Sequence, residues 1–229
     1  MRSPPKPQRD LCVRFVRTEP FAEPALASRA AAMLGVEEQR TIARLRPANA
    51  RCDYLAAHAL ARTMLAERLG WAPERLRFRY SPRGRPELAI PLPSGAPRLR
   101  FSLSHADGIA LCAVAMDCAV GADVESLRNV GPDPLDVAAM VCCPRELAAL
   151  RAAAPADQAE AFLLLWARKE AVAKASGLGL HAAQRSRTAR WGRWRLTTWR
   201  PTASHLVAVA VPRGVAGDGQ IRLEEAVLE

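Results

Sequence analysis

Residues 163–180, LLLWARKEAVAKASGLGL, constrain this chain more than any other stretch. Phe162, Leu163 and Trp166 recur at helical spacing and form an apolar stripe, so the segment predicts an amphipathic helix. Glu170 and Lys174 lie four apart and share one face, a turn from each other. Gly177 and Gly179 follow, where a left-handed C-cap is cheapest. Taken alone, the pattern needs no more than a surface Glu–Lys pair, which stabilises a helix by a few tenths of a kcal/mol. A second acidic stretch, AVGADVE at 119–125, gives it another meaning. On a strand, Asp123 and Glu125 point to one side, while Val120, Ala122 and Val124 point to the other, into a core. Carboxylates held that close repel unless a cation or a proton lies between them. An all-oxygen set suits Mg²⁺, which completes its shell with water and phosphate oxygens. The plain alternative is a solvated edge strand with two incidental acids.

The rest of the chain supplies the surroundings. Its 229 residues, half of them hydrophobic, suffice for one large core or two packed small domains. The net charge is +10 and the basic residues are mostly Arg, so the surface attracts polyanions: nucleic acid, phosphorylated cofactors or acidic proteins. The charge is spread along the chain instead of held in one run, which argues less for a nucleic-acid tail. Six cysteines show no CxxC and no zinc spacing; Cys12, Cys112 and Cys118 sit in apolar segments and read as buried thiols. No apolar run approaches a membrane span, and MRSPPKPQRD lacks the apolar region of a secretory signal. The expectation is a cytoplasmic, soluble protein.

Residues 1–9 are Pro-rich and loosely attached. Strand character follows at 11–18, then helices over 23–34, 36–45 and 50–69. Residues 76–90 read as two extended pieces around Ser81-Pro82-Arg83-Gly84, and 91–98 as a linker. Strands are predicted at 99–105, 109–116 and 119–125, short helices at 136–140 and 144–153, and after the long helix two strands at 193–199 and 205–212 joined around Pro201. The tail, 213–229, is Gly-rich and then acidic. The fold class is α/β (α+β) with two similar lobes, each a small antiparallel sheet packed on a long helix. The boundary falls near residue 100, giving an N-terminal lobe at 1–100 and a C-terminal lobe at 101–229.

If the long helix packs across the strand ends, Glu170 joins Asp123 and Glu125 at one metal, with Lys174 beside them. A cation and a Lys beside a polyphosphate are the equipment of phosphoryl transfer, where positioning and charge neutralisation dominate. His105, in SLSHADG, is more often structural at such a turn; beside phosphate it would donate from its ring. The rival reading is a non-catalytic basic protein that binds nucleic acid or an acidic partner. The charge alone fits it equally, but such a binder gains nothing from three gathered carboxylates.

Three motifs occur in order: Phe101-Ser102-Leu103-Ser104-His105, then Gly121-Ala122-Asp123-Val124-Glu125, then Trp166-Ala167-Arg168-Lys169-Glu170-Ala171-Val172-Ala173-Lys174. Together they resemble the 4′-phosphopantetheinyl transferase superfamily, in its monomeric type acting on peptide-synthetase and polyketide carrier proteins. Gly84-Arg85-Pro86 extends the likeness, which covers roughly residues 40–212. The resemblance implies transfer of the phosphopantetheine arm of coenzyme A to a carrier-protein serine, with release of adenosine 3′,5′-bisphosphate. It further implies Mg²⁺, or Mn²⁺ in its place, on Asp123, Glu125 and Glu170. Glu170 would also help to deprotonate the serine, and Lys174 would neutralise or protonate the leaving phosphate. His105, Ser104 and Arg85 would bind the coenzyme's phosphates. The chain departs from the family at Ala106, where a hydroxyl is common, and in the basic residues ahead of the helix at 50–69; Arg46 and Arg51 stand as substitutes there. The implied partners are acyl or peptidyl carrier domains and coenzyme A, with a monomeric protein and neither nucleic acid nor membrane.

Overall fold

The computed structural model describes residues 11–82, 84–89, 98–177, 191–214 and 221–228. The expectations for residues 1–9, for nearly all of the linker at 91–98, for Gly179 and for the start of the tail lie outside the described residues. The chain opens with β1 (Leu11–Arg17), followed by α1 (Pro24–Met33), α2 (Val36–Arg44) and α3 (Ala48–Leu69). A short hairpin, β2 (Phe78–Tyr80) and β3 (Pro86–Leu88), leads to β4 (Leu99–Ala106), β5 (Ile109–Met116) and β6 (Gly121–Ser126). Next come α4 (Pro134–Val141), α5 (Pro144–Ala152) and the long α6 (Gln158–Ser176). Strands β7 (Trp194–Thr202), β8 (His205–Pro212) and β9 (Leu223–Glu225) close the fold. Both long helices end on glycine in the left-handed region, Gly70 at φ 65° and Gly177 at φ 69°, where a side chain would be strained.

Two sheets carry the architecture, in the orders β4-β5-β1-β9 and β6-β8-β7. They pack into four layers: α3, first sheet, second sheet, α6. One face of the first sheet (Ala110, Cys112, Val114) meets Leu60 and Met64 of α3. Its other face (Ile109, Leu111, Ala113) meets Val207, Val209 and Val211 of β8. The opposite face of β8, Ala208 and Ala210, receives Ala167, Ala171 and Ala175 of α6. Strands β5 and β8 therefore bury both faces, which is why they read as continuous apolar runs instead of alternating ones.

The strand pairing alters several expectations. β4 and β5 hydrogen-bond to each other and β5 to β1, so the sheets part between Met116 and Gly121, not at residue 100. The first sheet is not purely antiparallel, because β9 from the acidic tail adds alongside β1 in parallel. It is fixed by Arg17–Glu225 at 3.0 Å, Arg14–Glu224 at 3.5 Å and the buried Ile221. Pro201 is not the turn between the last two strands: it lies within β7, at a register shift between Trp199 and Thr202, where a residue without an N–H interrupts the ladder. Of the three cysteines read as buried, Cys112 is, while Cys12 and Cys118 are half-buried; no disulfide joins the six.

The contact that positions the site is between α6 and β6. The alanines of α6, four apart, form a shallow groove, and Gly121 sits in it. A Cβ on Gly121 would lie 1.9 Å from the carbonyl oxygen of Ala171 and 2.5 Å from the amide nitrogen of Ala175. Backbone atoms occupy that space, so no side-chain rotation relieves the clash. Gly121→Ala is expected to cost about 3 kcal/mol, the upper range for overpacking, read as a lower urea midpoint at unchanged slope. An unshifted midpoint would mean that the helix is not seated on the strand this closely.

Candidate active site

Gly121, Asp123 and Glu125 alternate with Ala122 and Val124 on β6, and the latter two enter the core between the sheets. The acids therefore face α6. On that helix Trp166, Glu170 and Lys174 are spaced by four and form one row. Asp123, 4 % exposed, accepts a hydrogen bond from Lys174 Nζ at 2.7 Å and from Ser104 Oγ at 2.9 Å, both at Oδ1. Lys174 Nζ also donates to Ser104 Oγ at 3.0 Å. The cation of the Glu170–Lys174 pair thus bonds across to the strand, to Asp123. Ser102, on the same side of β4, accepts from the Ala122 amide at 3.0 Å and fixes β6 against the first sheet.

The carboxylates feel one another. Burial first, then the charge of Asp123, pushes the Glu125 carboxyl up to about 8, with Trp166 and the charge of Lys174 acting the other way. Glu170 is raised for the same first two reasons, burial and Asp123, with Lys174 opposing. Asp123 Oδ2 is buried and has no hydrogen-bond partner among the described residues. An unsatisfied buried carboxylate oxygen is costly, and a hard cation beside it would satisfy it. Even so, no three Asp, Glu, His or Cys side chains converge into a metal cage among the described residues. Lys174 lies against one of the acids.

The predicted phosphate ligands separate into two groups. His105 lines a cavity of about 390 Å³ together with Ser104, Asp123, Glu125, Asn49 and Asp53. Desolvation lowers the pKa of its imidazole, with Asp53 acting the other way. Arg85, Glu170 and Lys174 line a second cavity of about 360 Å³ beside Gly84 and Phe101. Arg85 reaches the Lys174 carbonyl at 2.6 Å and, more weakly, those of Phe101 and Val120 at 3.4 and 3.5 Å, tying the end of α6 to β4 and to the approach to β6. Arg51 donates to the carbonyls of Leu45 and Arg46 at 3.2 and 2.7 Å, bracing the α2–α3 connection. Arg46 is exposed on that connection. Neither lines the two cavities; Asn49 and Asp53, from the first turns of α3, line the one with His105. Sequence reasoning put cations at this helix start, where the structure brings an amide side chain and a carboxylate, the latter receiving the hydroxyl of Thr18.

Lys169, within the same helical motif, has a structural task. Its ammonium, 3 % exposed, meets Glu146 Oε2 at 2.7 Å and the Val141 carbonyl at 3.2 Å, tying α6 to α5 and to the end of α4.

Residues 119–209, from the approach to β6 through β8, match the family model of the 4′-phosphopantetheinyl transferase superfamily. Over that segment the chain is similar to the superfamily. It is 34 % identical over 127 residues to the 4′-phosphopantetheinyl transferase HetI of Nostoc sp., covering 56 % of this chain and 52 % of that protein. It is 36 % identical over 152 residues to the L-aminoadipate-semialdehyde dehydrogenase-phosphopantetheinyl transferase of Eremothecium gossypii, covering 65 % of this chain and 52 % of that one. With a 4′-phosphopantetheinyl transferase of Bacillus subtilis the identity is 30 % over 126 residues, 55 % of this chain and 52 % of the relative. The chain thus spans about half the length of these curated relatives. The matched segment includes Asp123, Glu125, Trp166, Glu170 and Lys174, but stops short of Arg85 and His105 on the N-terminal side. Among the described residues no helix is long and apolar enough to cross a membrane.

The raised Glu125 has a consequence for stability. Between the ordinary carboxylate value of 4.5 and about 8, the folded protein holds a proton that the unfolded chain has released. Stability contributed by this group is present at low pH and declines as pH rises through that interval. Thermal melts in a chelating buffer are expected to show a falling midpoint from about pH 5 to about pH 8, and Glu125→Gln should flatten the fall. A slope that is the same in both proteins would place the Glu125 carboxyl in water.

Proposed function

We infer that this protein transfers the 4′-phosphopantetheine arm of coenzyme A to a serine of an apo carrier protein, releasing adenosine 3′,5′-bisphosphate. The observation that carries this is the pairing of buried Asp123, one oxygen unpartnered, with Lys174 and two further raised carboxylates between two cavities. Asp123, Glu125 and Glu170 offer the oxygen donors that Mg²⁺ or Mn²⁺ takes, and the unpartnered Asp123 oxygen fits such an ion. When bound, the ion neutralises charge on the pyrophosphate.

The chain's own groups would do the rest. Attack of the serine oxygen on the phosphorus of the pantetheine arm breaks the bond to the departing bisphosphate. Glu170, its pKa raised by burial, is a stronger base than an ordinary carboxylate and accepts the serine proton, directly or through water. Lys174 would turn from Asp123 to the leaving phosphate and compensate its charge. His105 donates to a phosphate, beside the first turns of α3, whose amide ends favour an anion. In this reading Ser104 orients Asp123 as well as meeting phosphate, and Arg85 acts from the second cavity. Arg46 and Arg51 contribute positive charge at the rim. The first half holds phosphates and the second half the cation, with β4 bringing His105 to the boundary. The partners are carrier domains and coenzyme A, met by a monomer with neither nucleic acid nor membrane.

Incubation with coenzyme A, Mg²⁺ and apo carrier proteins of several types is expected to add one phosphopantetheine to a carrier, read by intact mass. No mass gain on any of them, with folded protein, would overturn the reading. Asp123→Ala should abolish the gain and keep the fold; retained transfer would remove Asp123 from the centre. The net charge of +10 steers acidic carriers, so the second-order rate should fall several-fold between low and physiological salt. A rate indifferent to salt would mean that docking does not depend on charge.

A further inference from the structure

The resemblance makes Arg85 a phosphate ligand, yet both ends of its guanidinium are turned to the main chain. Nη1 donates to the Lys174 carbonyl at 2.6 Å, and Nη2 makes longer contacts with the carbonyls of Phe101 at 3.4 Å and Val120 at 3.5 Å. The side chain springs from a turn that is itself closed: the Arg85 amide donates to the Ser81 hydroxyl at 3.1 Å, and the Ser81 amide to the Arg85 carbonyl at 2.9 Å. The carbonyl that Arg85 meets most closely is one that α6 cannot pair within itself. The helix ends at Ser176, and the carbonyls of its last turn have no partner further along it. That of Ala173 receives the Gly177 amide and the Ser176 hydroxyl, both at 3.1 Å. That of Lys174 receives Arg85, a cation at the negative end of the helix dipole. Lys174 is thus held at both ends, its main chain by Arg85 and its ammonium by Asp123 at 2.7 Å and Ser104 at 3.0 Å. The longer contacts follow the same plan. Phe101 lies three residues before Ser104 on β4, and Val120 three before Asp123 at the approach to β6. One guanidinium therefore bridges the three chain segments that carry Lys174, Asp123 and Ser104. An ammonium on a long flexible stem sweeps a wide volume, and fixing its backbone narrows that volume. A planar fork spans separate acceptors where the point charge of a lysine does not.

We propose that Arg85 is a positioning residue and not a phosphate ligand: its guanidinium caps the end of α6 and sets where the Lys174 ammonium can reach. The proposal rests on the transferase reading for what Lys174 does, but not for where Lys174 is held, so the first measurement uses neither coenzyme A nor carrier.

The chain holds three lysines, Lys6, Lys169 and Lys174, so lysine labelled with ¹⁵N at Nζ gives a short set of ammonium resonances in the full chain. Lys169, bonded to Glu146 and to the Val141 carbonyl, reports the fold. Arg85→Met keeps an apolar stem and removes the donors. In it the Lys174 resonance is expected to move and its proton exchange to quicken by on the order of tenfold, as for loss of a hydrogen bond to a charged group, while Lys169 is unchanged. Arg85→Lys keeps the charge, should displace Lys174 in the same way, and decides the matter if Lys169 shows that Arg85→Met has lost its fold. A Lys174 resonance at its wild-type position in the folded variant overturns the proposal. Kinetics separate the two roles further. Positioning predicts kcat lower by on the order of tenfold in both variants, at an unchanged KM for coenzyme A. A phosphate ligand predicts a raised KM in Arg85→Met that Arg85→Lys restores, and that pattern overturns the proposal. No transfer by the wild type removes the transferase reading alone; a displaced Lys174 resonance still leaves Arg85 as the residue that places Lys174.

Discussion

The approach of α6 to β6 is the constraint on which the site depends. Gly121 brings the strand to within contact distance of the helix backbone, and Ala167, Ala171 and Ala175 keep the facing surface shallow. Larger residues at any of these points would hold the two elements apart. At the distance observed, Lys174 reaches Asp123 at 2.7 Å. The glycine of GADVE and the alanines of WARKEAVAK thus set the spacing between the acids of β6 and the charged row of α6. Lys169 and Arg85 hold the same helix from other sides, one against α5 and the end of α4, the other against β4.

The electrostatics follow from that spacing. Three carboxylates are drawn into partial burial with one ammonium near enough to bond one of them. Glu125 and Glu170 are raised as a result, and one Asp123 oxygen is unpartnered among the described residues. This is an arrangement in tension, held by the packing of four layers and eased by added positive charge.

Much of the fold was legible in the sequence because local signals and burial agree. Strands β5 and β8 read as buried runs and are buried on both faces; Gly70 and Gly177 read as helix ends and are left-handed caps. The pairing of strands was less legible. β4 and β5 follow a Pro-rich stretch that looks like a boundary, yet they complete the first sheet. β9 is three residues of an acidic tail, and its place beside β1 depends on arginines more than 200 residues away in sequence, as with Arg17 and Glu225, |i−j| = 208. Arg46 and Arg51 read from the sequence as charge for a phosphate, but Arg51 donates to backbone carbonyls instead.

The sequence by itself determined which charged groups share a face. Period two places Asp123 and Glu125 on one side of a strand, and period four places Glu170 and Lys174 on one face of a helix; both follow from local backbone geometry alone. Which groups meet was decided only by the tertiary structure. Lys174 bonds to Asp123, and Ser104 to both. Those contacts depend on the register and depth at which α6 settles on β6. That depth is set by atoms absent at Gly121, which no pattern of charge or hydrophobicity records.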